Sequence, residues 1–148
     1  ATYMFGPVAG VVVCLIKNLL KALFFTMSGG VGEIANFLIG CALVLPAGLV
    51  FKKVKSGKSL MVGGMIGSVI MGVLSLPINY YITYPVYSKL IPMEQIIELY
   101  QKIIPSVDGL FECLLVFNTP FTLVKGVVST LIAYVVCTRI KKIRDFAV

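Results

Sequence analysis

Four apolar stretches, at about 5–25, 33–51, 60–84 and 113–138, reach or approach the roughly 20 residues that carry a helix across a bilayer. Hydrocarbon offers no water to backbone N–H and C=O groups, so segments of this kind must satisfy them internally, as α-helices. The expected fold is therefore all-α: a polytopic membrane helix bundle with four transmembrane helices, residues 1–148 forming a single integral membrane domain. Composition agrees, because 13% of residues are charged where soluble domains carry about 25%.

A net charge of +7 would suit nucleic acid if the cations shared one surface. They do not. Lys52, Lys53, Lys55 and Lys58 follow the second apolar stretch, and Arg139, Lys141, Lys142 and Arg144 follow the fourth, which is the pattern of membrane topology. These cations mark the cytoplasmic side and place the carboxyl terminus there. The opposite side receives a turn at Ser28–Gly30 and a long connection over 85–112, whose basic residues are Lys89 and Lys102. Within that connection, MEQIIELYQKII sets Ile96, Ile97, Leu99, Tyr100, Ile103 and Ile104 at helical spacing between Pro92 and Pro105. This predicts a short amphipathic helix lying on the outer surface.

Several chemistries are disfavoured. Histidine is absent, and Cys14, Cys41, Cys113 and Cys137 are scattered without metal-ligand spacing, so no metal site is expected and the cysteines read as small buried hydrophobes. The string SGKS at Ser56–Ser59 ends like a phosphate-binding loop, but Lys52 stands where that loop needs its first glycine, which leaves a cytoplasmic link. Without a histidine base or paired acids in a span, a membrane hydrolase or metal-dependent transferase lacks its machinery, and no catalytic residue is assigned. Glycines recur in the spans, with Gly63, Gly64, Gly67 and Gly72 in the third, as close helix packing requires.

Polar residues near the outer ends of the apolar helices remain. Asn118, Thr122 and Lys125 stand at i, i+4 and i+7 and share one helix face. A lysine inside a span costs about 2.5–3.5 kcal/mol on insertion scales and usually faces a cavity or a partner. Helical side chains lean towards the amino terminus, so the Lys125 ammonium is directed outward, towards Thr122. A ligand is one partner for it; a structural pair with Glu33 or Glu112, or snorkelling, is the alternative. Glu33 and Asn36 open the second span one turn apart, with Gly40 continuing that face, and Glu33 also suits the helix dipole. Asn79 closes the third span beside Tyr80, Tyr81 and Tyr84, where tyrosines commonly form an aromatic belt. Three roles are open to Lys17 and Lys21 in the first span: shaping a cavity, pairing with Glu33, or bordering the span's outer end.

These residues carry a family resemblance. GPVAGVVVCLIKNLLKAL, GGVGEIANFLIGCALVLPAGLVFK, INYYITYPVY and PFTLVKGVVSTLIAYVV, in this order and spacing, resemble the riboflavin-specific substrate-binding component (S component) of bacterial energy-coupling-factor transporters. The resemblance implies a non-enzymatic subunit of the bacterial cell membrane that captures riboflavin from outside. It also implies delivery through association with a transmembrane coupling protein and two ATPases, with riboflavin as transported ligand and no cofactor. The four spans resemble the third to sixth helices of a six-helix fold, with ATYMFGPVAG as the end of the second. An amino-terminal piece with the first helix and first outer loop is then not represented. Lys125 matches the lysine of the family's PFNxxKG block, Thr122 stands where that block often has asparagine, and Asn79 matches the asparagine closing the preceding span. The resemblance assigns Lys125, Thr122 and Asn79 to the polar groups of the ligand, Phe121 and Tyr84 to ring contacts, and Glu33 and Asn36 to further polar contacts.

The rivals are an S component for another small vitamin, a small membrane enzyme using Lys125 and Glu33 on a lipid, and a purely structural membrane subunit. The enzyme needs a second acid–base group near Lys125, which the sequence does not offer.

Overall fold

The computed structural model describes residues 1–25, 30–54, 56–89, 91–107 and 109–139. Lys55, Lys141, Lys142, Arg144 and most of the Ser28–Gly30 turn lie outside them. The described residues form helices throughout: α1 (Thr2–Phe5), α2 (Pro7–Phe25), α3 (Val31–Lys53), α4 (Gly57–Ile78), α5 (Tyr84–Tyr87), α6 (Met93–Gln101), α7 (Leu110–Cys113) and α8 (Thr119–Arg139). Two π-helical turns, Asn79–Thr83 and Leu114–Asn118, join α4 to α5 and α7 to α8. Four continuous helices are long and apolar enough to cross a membrane: Pro7–Phe24, Val31–Lys53, Gly57–Tyr87 and Leu110–Arg139.

α4 is the inner member of the row, with α3 on one side and α8 on the other, while α2 packs chiefly on α3. Lipid tails are as apolar as leucine, so close van der Waals approach holds such helices together. The α4 glycines serve both neighbours. A Cβ on Gly63 would stand 2.9 Å from the Ala47 carbonyl oxygen, and one on Gly67 would collide with the carbonyl oxygen of Leu43, both on α3. One position further round, α4 meets α8: a Cβ on Gly64 would collide with Thr130, one on Gly72 would stand 3.3 Å from the Leu123 side chain, and one on Gly126 of α8 would stand 2.9 Å from the Ser68 side chain. Ser68 is 1% exposed, and its hydroxyl donates to the Gly64 carbonyl at 2.7 Å, so the seam buries no unsatisfied hydroxyl there.

The described residues of the two basic clusters meet at one end. Phe51 and Leu60 form a buried pair covered by Tyr3, Tyr134 and Cys137, which brings the end of α3, the start of α4 and the end of α8 together. Lys52, Lys53, Lys58 and Arg139 are exposed around them. The SGKS string is a helix start: the Ser56 side chain caps α4 by accepting the Ser59 N–H at 3.2 Å.

The π-helical turns, invisible to hydrophobic periodicity, occupy the opposite end. Each is followed by one residue and then a proline, Pro85 or Pro120, and the residue between bonds back five positions, Tyr84 N–H to Asn79 O and Thr119 N–H to Leu114 O. Proline lacks an N–H and its ring crowds the carbonyl one turn back; a widened turn relieves that conflict. Proline alone does not dictate the defect, since Pro46 and Pro77 lie within regular α-helix.

α6 departs from the expected surface-lying helix. Ile96 is buried and Tyr100 turns inward, while Leu99 (60% exposed) and Ile103 (68%) face out, so one apolar edge is docked on the bundle.

Gly67→Val is expected to force α3 and α4 apart and cost about 1–3 kcal/mol, read as a lowered unfolding midpoint in detergent. Gly109→Ala, where an added Cβ meets nothing within 4 Å, should move that midpoint little.

Candidate functional site

At the end opposite the basic clusters, α3, the two π-helical turns, α5 and the start of α8 enclose a cavity of about 230 Å³. α3 contributes Gly32, Ala35, Asn36 and Ile39; the α4 side contributes Asn79, Thr83, Tyr84 and Tyr87; the last span contributes Asn118, Phe121, Thr122 and Lys125. Six of the seven residues singled out in the sequence are thus together: Lys125, Thr122, Asn79, Phe121, Tyr84 and Asn36. Thr83, Tyr87 and Asn118 add polar groups, and among the described residues no carboxylate lines the wall.

Glu33 is the exception. Successive helical residues are turned by about 100°, so the face made by Gly32, Ala35, Asn36 and Ile39 leaves Glu33 on the flank towards α2. There it is 5% exposed and its carboxylate lies 3.6 Å from the Lys21 ammonium. Gly40, placed by sequence on one face with Asn36, likewise turns to Cys14 of α2. Of the three roles open to Lys21, pairing with Glu33 is the one realised; Lys17 is exposed.

Glu33 therefore does not neutralise Lys125. Among the described residues the Lys125 ammonium takes part in no ion pair or hydrogen bond, and it faces the cavity. This separation also removes the geometry that a Lys125–Glu33 acid–base pair would need.

The amides are held by their own helices. Asn79 donates from Nδ2 to the Ser75 carbonyl at 2.8 Å and accepts the Thr83 hydroxyl at 3.0 Å, so it braces the first widened turn. Thr122, 6% exposed, donates to Asn118 Oδ1 at 3.5 Å, which joins the second widened turn to α8. The Asn118 Nδ2 is buried and has no partner among the described residues. A buried donor left without an acceptor costs about 1–3 kcal/mol, a cost that functional sites tolerate more often than packing interiors do. Tyr84 exchanges a 2.8 Å hydroxyl–hydroxyl bond with Tyr100 of α6, and its ring leans on Tyr87 with centroids 6.0 Å apart. Phe121 is 72% exposed and forms a cavity edge.

The widened turns are what spacing could not reveal. Asn118 was placed on the Thr122 and Lys125 face by regular helical spacing, and it does line the cavity, but from a π-helical turn. Thr83 and Tyr87 carried no signal beyond a tyrosine-rich span end; prolines at the same offset after each outer turn are the trace that could have marked both.

Fold and site together define a class: a multi-pass membrane helix bundle with a polar cavity at one end, lined among the described residues by amides, hydroxyls, aromatic rings and one lysine. The chain belongs to the substrate-specific component family of ECF transporters, whose sequence profile matches residues 1–137. A protein named riboflavin transporter RibU, from Staphylococcus aureus (strain TCH60), is 36% identical over 132 residues, which are 89% of this chain and 64% of that protein. Riboflavin transporter FmnP of Bacillus subtilis (strain 168) is 29% identical over 143 residues, covering 95% of this chain and 70% of its own length. A solved structure described as the S component of a bacterial ECF transporter superposes with a TM-score of 0.68 at 32% identity, over 98% of this chain and 71% of that one. The chain thus spans a little under two thirds of the length of the Staphylococcus relative.

Lys21→Met is expected to destabilise the protein more than Glu33→Gln, because the first leaves the buried carboxylate without this cation while the second removes the charge. With Lys21 52% exposed, the coupling should be modest, about 1 kcal/mol or less, as a double-mutant cycle on detergent unfolding midpoints would show.

Proposed function

We propose that this chain is the riboflavin-capturing subunit of an ATP-driven vitamin importer, taking the vitamin from the extracellular side and leaving it chemically unchanged. The observation that carries the reading is Lys125: an ammonium facing a cavity of amides, hydroxyls and aromatic rings, with no carboxylate in the wall among the described residues. Such a wall favours a flat, acceptor-rich ligand. Riboflavin has carbonyl and imide groups along one edge of a tricyclic ring and a chain of hydroxyls, and two relatives carry its name.

In this reading Lys125, Thr122 and Asn79 serve the polar groups, Phe121 and Tyr84 the ring, and Asn36 a further polar contact from α3. Asn118 joins them, because its buried Nδ2 seeks an acceptor. Glu33 acts at a distance, occupying Lys21 so that neither competes for the ligand. The cavity is smaller than the roughly 300–1,000 Å³ of typical small-molecule sites, so a ring seated in it keeps one flank outside these walls.

Lys52, Lys53, Lys58 and Arg139 at one end support a cytoplasmic carboxyl terminus and an outward cavity under the positive-inside rule. Family membership supports partnership with a transmembrane coupling protein and two ATPases.

Purified protein in nanodiscs should quench riboflavin fluorescence on binding. Loss of a charged hydrogen bond is worth about 1.5–3 kcal/mol, so Lys125→Met should weaken affinity by roughly tenfold or more, while Lys58→Gln at the far end should not. A protein that binds another vitamin and ignores riboflavin would overturn the ligand assignment. Uptake into cells should depend on the partner ATPases, and a carboxyl-terminal reporter should be active only in the cytoplasm.

A further inference from the structure

Tyr84 faces the cavity, yet its hydroxyl is already engaged, 2.8 Å from that of Tyr100 on α6. The Tyr100 ring also packs on Phe117, with centroids 5.2 Å apart and planes inclined by 40°. Tyr84 lines the cavity directly after the first widened turn, and Phe117 lies within the second, next to Asn118 of the cavity wall, so a single residue of the 85–112 connection links the two turns that border the cavity.

We infer that Tyr100 is a positioning residue for ligand retention: it ties the Tyr84 wall to the widened turn that carries Phe117 and Asn118, and orients the Tyr84 hydroxyl. The inference rests on reading this cavity as the riboflavin site.

Two features make α6 a firm anchor for such a clasp. Ile96, one turn before Tyr100, is buried in the bundle. Gln101 donates from Nε2 to the Val107 carbonyl at 2.9 Å, and Val107 is itself 3% exposed, which ties the end of α6 to the chain that follows. The hydroxyl pair also has a directional consequence. A phenol has one proton, and when Tyr100 donates to Tyr84 the Tyr84 proton is released for an acceptor in the cavity. The two widened turns replace the regular helical ladder with bonds five residues back, and the Tyr100 contacts add a link between them above the α4–α8 seam.

The test uses Tyr100→Phe, which keeps the ring on Phe117 and removes only the hydroxyl, together with Tyr84→Phe and the double variant, in nanodiscs with riboflavin as probe. A neutral hydrogen bond contributes about 0.5–1.5 kcal/mol, so Tyr100→Phe should speed riboflavin release by roughly two- to tenfold, with association little changed. The double variant should release riboflavin no faster than Tyr84→Phe alone, because Tyr100 acts through Tyr84. Tyr100→Ala, which also removes the ring contact, should release it faster still. Wild-type release from Tyr100→Phe, or effects of the two phenylalanine variants that simply add, would overturn the inference while leaving the ligand reading intact. Wild-type protein that binds no riboflavin would overturn the ligand reading and this inference with it.

Discussion

The close approach of α4 to its two neighbours is the contact on which the remaining geometry depends. Gly63 and Gly67 admit the carbonyls of Ala47 and Leu43, and Gly64, Ser68 and Gly72 admit α8. In a solvent as apolar as the side chains, this fit supplies cohesion that water would otherwise drive. It also fixes where the cavity-bearing ends of α3, α4 and α8 stand relative to one another. Asn36, Asn79 and Thr122 can share one cavity because the helices beneath them are spaced by glycine.

Above that seam regular helix gives way. The widened turns at Asn79–Thr83 and Leu114–Asn118 place the polar side chains of two spans at the same level, and side chains of the same helices absorb much of the local hydrogen-bonding demand. Large side chains such as Phe51 and Leu60 are buried together at the basic end, and amides and hydroxyls line the cavity at the opposite end.

Much of this was legible beforehand, for identifiable reasons. Lys125 was conspicuous because charge inside an apolar run is expensive, and Thr122 followed from it because spacing within a regular helix is reliable over two turns. The four long helices followed from length and hydropathy. Glu33 was misplaced because its proximity in sequence to Asn36 says nothing about which flank of α3 meets α4; that rotation is set by Gly63 and Gly67 pressing on Leu43 and Ala47. Tyr100 read as one of several apolar positions on a surface helix, since its bond to Tyr84 spans a connection whose path no periodicity encodes.

The sequence by itself determined that the chain is a set of membrane helices with a buried-cost lysine, because hydrocarbon penalises charge and unpaired backbone wherever they occur. Its basic clusters likewise determined which ends belong together. Only the tertiary structure decided which polar residues face one another: that Lys21, and not Lys125, takes Glu33, and that Lys125 is left to the cavity. Pairing between helices depends on rotation and depth to within one side chain, and those are settled by packing across interfaces that no single helix contains.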